Sequence, residues 1–314
     1  MQNRSIKDYS LVGARGMAMG AADVVPGVSG GTIALLTGIY DELLHSLKSL
    51  GPEALLTLFK QGPKVFWQKI NGSFLLSLFL GILISIKSFA ALIGYCLDHY
   101  PLLVWAFFTG LIAASVVLLW AKESAWGLKE WVALVCGIVV VVVISMARPV
   151  ELPESNWLMF MGGFIAIVAM ILPGISGSFI LLLLGLYPRV LAAVNSNDFV
   201  ALILFMLGAI CGLLVFSRFL SWLLDNYHKT TLAVLIGFLM GSLNVTWPWK
   251  VTLESFVDRH GEVVPLVQSN VLPAEFTQLS AQNAQLLPVI GMMFIGFFLV
   301  LLTELLLRKP SRIH

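Results

Sequence analysis

The apolar positions of this chain fall into long, nearly unbroken blocks, not into an alternation with polar ones. Six blocks, at 73–97, 102–121, 131–147, 200–223, 231–249 and 285–307, approach or exceed the roughly 17–25 residues that a helix needs to cross a bilayer. Two further apolar regions, 11–45 and 157–194, are interrupted in the middle by Pro-Gly followed by Ser-Gly. Each arm of these regions has about 14–18 residues, and at roughly 1.5 Å per residue the shorter arms reach only about 21 Å. A hydrocarbon core is roughly 30 Å thick, so each region is expected to be a re-entrant hairpin that enters and leaves on one side. Two full crossings per region is the alternative, and the more apolar second region suits it better.

The two interruptions are copies of one another. Pro26-Gly27-Val28-Ser29-Gly30-Gly31-Thr32-Ile33-Ala34-Leu35-Leu36-Thr37-Gly38-Ile39-Tyr40 returns 147 residues later as Pro173-Gly174-Ile175-Ser176-Gly177-Ser178-Phe179-Ile180-Leu181-Leu182-Leu183-Leu184-Gly185-Leu186-Tyr187, with nine of fifteen positions identical. Downstream, Asp98-His99-Tyr100 parallels Asp225-Asn226-Tyr227, and Gly110 to Ser115 parallels Gly237 to Ser242, both at an offset of 127. The predicted fold is therefore an all-α integral membrane protein built from two repeats, 1–147 and 148–314. Each repeat holds one hairpin and three spans. Three crossings are odd, so the second repeat begins on the opposite side of the membrane, which is the inverted-repeat plan of many secondary transporters.

Composition agrees with this plan. The chain is 59% hydrophobic and 11% charged, with mean hydropathy +0.93, whereas soluble domains carry about 25% charged residues. The net charge of +2 says little, but its placement orients the chain. Arg4, Lys7, Lys48, Lys60, Lys64, Lys69, Lys122, Lys129, Lys229, Arg308, Lys309 and Arg312 fall on one side, and only Arg148, Lys250 and Arg259 on the other. The positive-inside rule then puts both termini of a multi-pass protein in the cytoplasm. The outer loop at 250–283 has no counterpart in the first repeat, and the polar first ten residues show no cleavable signal. Cys96, Cys136 and Cys211 lack metal-ligand spacing and are expected to be small buried hydrophobes.

The candidate chemistry lies at the hairpins. Pro26-Gly27 and Pro173-Gly174 make the tips. Ser29-Gly30-Gly31-Thr32 and Ser176-Gly177-Ser178 then open a helix in each copy. Serine caps a helix N-terminus, whose unpaired N–H groups and positive dipole end favour an anion, phosphate above all. Two such ends facing each other near the midplane would form a positive cradle for phosphate, with Lys87, Arg218 and Arg15 as its basic members; plain capping of packed helices is the other reading. Lys87 and Arg218 sit inside spans, where a basic residue costs about 2.5–3.5 kcal/mol on insertion scales, and either marks a polar path or reaches for the interface. Asp23 precedes the first tip and Arg15 lies eight residues earlier; Met170 and Gly162 hold their places in the second copy. Asp23 suits a proton site of a coupled carrier or a fixed counter-ion for Lys87 or Arg218. Gly16-Met17-Ala18-Met19-Gly20 reads as a close-packing stripe. Tyr40, Tyr187 and Trp247-Pro248-Trp249 read as interfacial anchors. No nucleophile elbow, metal set or P-loop is present, so no enzyme, cofactor or nucleic-acid partner is expected. Protons or sodium are the candidate coupling ions.

The string Arg15-Gly16, then Gly20-Ala21-Ala22-Asp23-Val24-Val25-Pro26-Gly27-Val28-Ser29-Gly30-Gly31-Thr32, together with Leu172 to Ser178, resembles the signature of a bacterial membrane family. That family, once filed as a domain of unknown function, is now associated with polyprenyl-phosphate translocation under the name PopT. The resemblance runs over nearly the whole chain. It implies opposed re-entrant hairpins in the bacterial inner membrane. It also implies a flippase that returns undecaprenyl phosphate from the outer to the cytoplasmic leaflet for envelope synthesis. The alternative that the same anion cradle allows is a carrier or channel for a small inorganic or organic anion.

Overall fold

The computed structural model describes residues 4–25, 28–123, 126–147, 155–257 and 263–307. The first tip, Pro26-Gly27, lies outside them, as do five of the basic residues used for orientation: Arg148, Arg259, Arg308, Lys309 and Arg312. The described chain is almost entirely helical. It begins with α1 (Ile6–Asp23), α2 (Gly30–Leu36), α3 (Tyr40–Lys48), α4 (Pro52–Gln61) and α5 (Pro63–Lys69). Three long helices follow, α6 (Gly72–His99), α7 (Pro101–Lys122) and α8 (Leu128–Met146). Then come α9 (Asn156–Ile171), α10 (Gly177–Leu183), α11 (Tyr187–Asn195) and α12 (Phe199–Thr246). An antiparallel pair, β1 (Lys250–Val257) and β2 (Val263–Asn270), precedes α13 (Pro273–Ser280) and α14 (Leu286–Leu307). The loop expected at 250–283 thus holds an antiparallel strand pair and a short helix.

Among the described residues, five helices, α6, α7, α8, α12 and α14, are long and apolar enough to cross a membrane. The expected spans 200–223 and 231–249 are joined in α12, whose 48 residues would rise about 72 Å, far more than one crossing. The helix is nevertheless broken where the repeat predicts. Tyr227 has φ −134° and ψ 44°, and its counterpart Tyr100, which ends α6 ahead of Pro101, has φ −134° and ψ 46°. Proline makes the first break complete, because it offers no N–H to bridge it; His228 stands at that place in the second copy.

The returning arms of the two interrupted regions are shorter than expected. α2 and α10 have seven residues each, a rise of about 10 Å, and neither could cross a bilayer. Both end in the same turn. Gly38 (φ +71°) and Gly185 (φ +64°) take the left-handed conformation that glycine alone adopts without strain. The following N–H reaches back to Ala34 O and Leu181 O respectively, at 3.0 and 2.9 Å. After the second turn the chain bends by 104° into α11.

The chain divides into two compact units. One joins Met1–Ile93 with Pro149–Leu235; the other joins Gly94–Arg148 with Ile236–His314. In the first, the small-residue stripe of α1 lies on α6: a Cβ on Gly16 would collide with the Leu78 carbonyl, and one on Gly81 with that of Gly13. The second copy repeats both contacts at the equivalent positions, Gly163 against Phe205 O and Gly208 against Phe160 O. In the second unit, Gly110 of α7 meets Met293 of α14, and Gly237 of α12 meets Leu134 of α8. The Trp247 and Trp249 indoles donate to Val271 O and Ala284 O at 3.0 and 2.9 Å. Trp249, 3% exposed, packs with Leu102, Phe276 and Val289. These indoles fasten the segment that follows α12. Cys136 and Cys211 are exposed and Cys96 is half-buried, against expectation.

Candidate functional site

The interrupted regions meet within the first unit, and polar groups of the first copy join the end of α9. α9 terminates at Ile171 because Pro173 lacks the N–H needed to continue a helix, which leaves the last carbonyls without helical partners. Three hydrogen bonds fasten this end. The Ser29 hydroxyl donates to Met170 O at 2.9 Å. The Tyr40 hydroxyl donates to Ile171 O at 3.0 Å. The Gly174 N–H donates to Thr32 Oγ1 at 3.1 Å. Gly31 is required at the same contact, since a Cβ there would stand 2.5 Å from Ile171 O. The positive N-terminal end of α2 therefore faces the negative C-terminal end of α9, an attractive pairing of helix dipoles.

The N-terminus of α2 is filled from within its own copy. Asp23 Oδ1 accepts from the Gly30 N–H at 2.6 Å, and Ser29 Oγ accepts from the Gly31 N–H at 3.1 Å. An ionised carboxylate at a helix start is a strong cap, and it occupies the place where an external anion would bind.

The N-terminus of α10 is built on the same frame with different chemistry. Met170 holds the place of Asp23, and its Cγ would stand 2.7 Å from a Cβ on Gly177, just as Asp23 Oδ2 stands 2.6 Å from one on Gly30. A thioether is at best a weak acceptor and brings no charge. The Ser176 side chain does not cap the helix; its hydroxyl pairs with that of Ser178 at 2.9 Å. Ser176 and Gly177 are buried, while Ser178 is exposed.

The basic residues lie apart from these contacts. Lys87 is exposed and has no hydrogen bond or ion pair among the described residues. Arg218 donates from Nη1 to Leu214 O at 2.9 Å, and its guanidinium lies against Gly51. Arg15 is half-buried, with an Nε that has no hydrogen-bond partner among the described residues. Near it, Arg4 forms a two-pronged pair with Glu42 at 2.5 Å, and Asn71 donates to the same carboxylate at 2.8 Å. The structure thus assembles Ser29, Gly30, Gly31, Thr32 and Asp23 with Gly174. It sets Ser176, Gly177 and Ser178 together at α10, and leaves Lys87, Arg218 and Arg15 outside both groups. No cluster suited to a metal occurs among the described residues.

Tyr40 is the residue that the sequence reading undervalued. It is 2% exposed, where its counterpart Tyr187 is 37% exposed, so it is a buried donor and not an anchor. Its signal was its place in the repeated string; the carbonyl it serves, on another helix, left none.

A family model described as undecaprenyl phosphate translocase-like matches residues 19–264. A polyprenyl-phosphate transporter of Vibrio cholerae serotype O1 is 45% identical over 287 residues, covering 91% of this chain and 93% of that protein. A polyprenyl-phosphate transporter of Staphylococcus aureus is 30% identical over 269 residues, covering 77% and 90%. No solved structure matches the chain.

Proposed function

The chain belongs to the undecaprenyl phosphate translocase-like family, and from that premise we propose that it carries undecaprenyl phosphate from the outer to the cytoplasmic leaflet of the bacterial inner membrane. This lipid has an anionic head and a long apolar tail. The head needs a shielded polar path, and the tail can remain in the bilayer. Two inverted repeats, each opening with a re-entrant hairpin, would supply such a path at the bilayer midplane, and alternating access would expose it to each leaflet in turn. With both termini in the cytoplasm, the returning lipid ends on the basic side.

One observation carries the site assignment: the two helix starts are unequally filled. The Asp23 carboxylate already sits on α2, whereas α10 has no side-chain cap. In this reading the phosphate is taken by the Ser176-Gly177-Ser178 end, and the Ser29 to Thr32 segment holds the hairpins together. Arg15, Lys87 and Arg218 place positive charge along the route. Asp23 either exchanges a proton with each cycle or remains a fixed cap.

The test is reconstitution in vesicles with a fluorescent polyprenyl phosphate whose outer-leaflet fraction can be bleached from outside. The expected result is faster exchange between leaflets than in empty vesicles, with a further change under an imposed pH gradient if protons drive it. Folded protein that gives no acceleration would overturn the proposal. Flux of free phosphate or sulfate without lipid exchange would replace it by a small-anion carrier.

A further inference from the structure

The offset between the copies falls from 147 at the hairpins to 127 at the spans. The structure places the extra residues of the first copy. Between α3 and α6 lie α4 and α5, whereas α11 ends at Asn195 and α12 begins at Phe199. The second copy joins its hairpin to its span without any such element, so α4 and α5 are not needed to build the repeat.

The inserted pair is a small hairpin with its own fastenings. It turns at Gly62 (φ +86°). Lys69 Nζ donates to Glu53 O at 3.2 Å and to Thr57 Oγ1 at 3.0 Å, joining the end of α5 to the start of α4. Trp67 Nε1 donates to Ser73 Oγ at 3.0 Å, and its ring covers Gly72. That contact holds the pair beside the first turn of α6, the level at which a crossing helix leaves the head-group region. α4 buries Ala54 and Thr57 on one side. On the other it exposes Leu55 (56%), Leu56 (55%) and Phe59 (82%), and α5 adds Val65 and Trp67. Lys60 and Lys64 are exposed along the same pair. Residues 52–69 carry three lysines against one glutamate.

We propose that α4 and α5 form an in-plane membrane anchor whose apolar face enters the leaflet at the N-terminal end of α6, with Lys60 and Lys64 on acidic phospholipid head groups. An amphipathic helix with leucine and aromatic residues on one face and lysine beside it suits the head-group boundary of a bilayer. Tryptophan belongs at the same depth. The excess of lysine selects acidic lipid, because basic residues near an anionic leaflet gain attraction that neutral lipid does not offer. The proposal requires only that α6 crosses a membrane and does not depend on what the protein transports.

The test uses the full chain with Cys96→Ala, Cys136→Ala, Cys211→Ala and Phe59→Cys, labelled at residue 59 with an environment-sensitive fluorophore. It is reconstituted in phosphatidylcholine vesicles containing one-quarter phosphatidylglycerol, with either lipid brominated in turn. The expected result is quenching by brominated lipid, about twofold or more stronger for phosphatidylglycerol at equal mole fraction. Lys60→Gln with Lys64→Gln should bring that ratio close to one and leave the quenching itself in place. A label quenched by aqueous iodide and not by lipid would overturn the anchor. So would a label shielded from both, which would mean that another protein or a second copy covers the face. An acidic-lipid preference unchanged by the lysine substitutions would overturn the head-group assignment.

Discussion

The two hairpins share a frame and differ in chemistry. Their returning helices are both seven residues long and close with the same glycine turn. Their outer arms, α1 and α9, press equivalent positions, Gly16 and Gly163, onto the next long helix. At the helix starts the likeness ends. The first has a carboxylate on its N–H and hydroxyls extended to α9; the second has methionine, and serines that bond to each other. Gly16 with Gly163 and Gly38 with Gly185 are kept where backbone geometry demands glycine, whereas the exchange of Asp23 for Met170 changes the chemistry at the helix start.

The largest effect tests the shared frame. Gly16→Ala and Gly163→Ala each push a methyl group into a backbone carbonyl that cannot swing aside, and overpacking of this kind costs about 1–3 kcal/mol. Thermal unfolding in detergent should show similar losses for both. A loss confined to one copy would mean that the packing is not equivalent.

The unequal helix starts come next. Asp23→Ala removes a cap and should cost about 0.5–2 kcal/mol, whereas Met170→Ala removes no hydrogen bond. Met170→Asp is the sharper experiment. It should place a carboxylate on the α10 start, raise the unfolding midpoint and slow lipid exchange, because the inserted charge would compete with phosphate. Unimpaired exchange in Met170→Asp would remove α10 as the phosphate site. Asp23→Asn distinguishes the two roles of that residue: a proton site requires that its response to a pH gradient disappear, and a fixed cap leaves the response intact.

Much of the frame was legible because it depends on spacing. Helix length, the Pro-Gly break and the offset of 127 located the long helices, and even the irregular Tyr227 fell where Tyr100 predicts. The shortness of α2 and α10 was less legible, since Gly38 and Gly185 stand in apolar surroundings that resemble a continuing helix. The site was legible as a set of residues and not as an arrangement. The Pro-Gly break and the serine after it told which positions open a helix, but Asp23 reaching Gly30 across the tip, and Ser29 and Tyr40 reaching carbonyls more than a hundred residues away, arise from tertiary packing. Lys87 and Arg218 drew notice for their charge within apolar segments, which reports the cost of burial and carries no information about partners.

Tyr40 and Tyr187 extend the comparison to a smaller effect. Tyr40→Phe removes the hydroxyl that serves Ile171 O, at a cost of about 1 kcal/mol. Tyr187→Phe, at an exposed ring, should change stability by no more than about 0.5 kcal/mol. Unfolding midpoints for the pair check this, and equal losses would contradict the one-sided joint.

The smallest effect is expected where proline would ordinarily be most harmful. His228→Pro lies inside a helix of 48 residues, and proline in a continuous helix costs about 3 kcal/mol. The backbone ahead of it, however, already has the dihedrals that Tyr100 has before Pro101, and proline is welcome at the first position of a helix. The substitution should therefore move stability by less than about 1 kcal/mol in either direction. A loss of the full proline penalty in thermal unfolding would show that α12 is one uninterrupted helix, and that the correspondence between the two copies stops short of this joint.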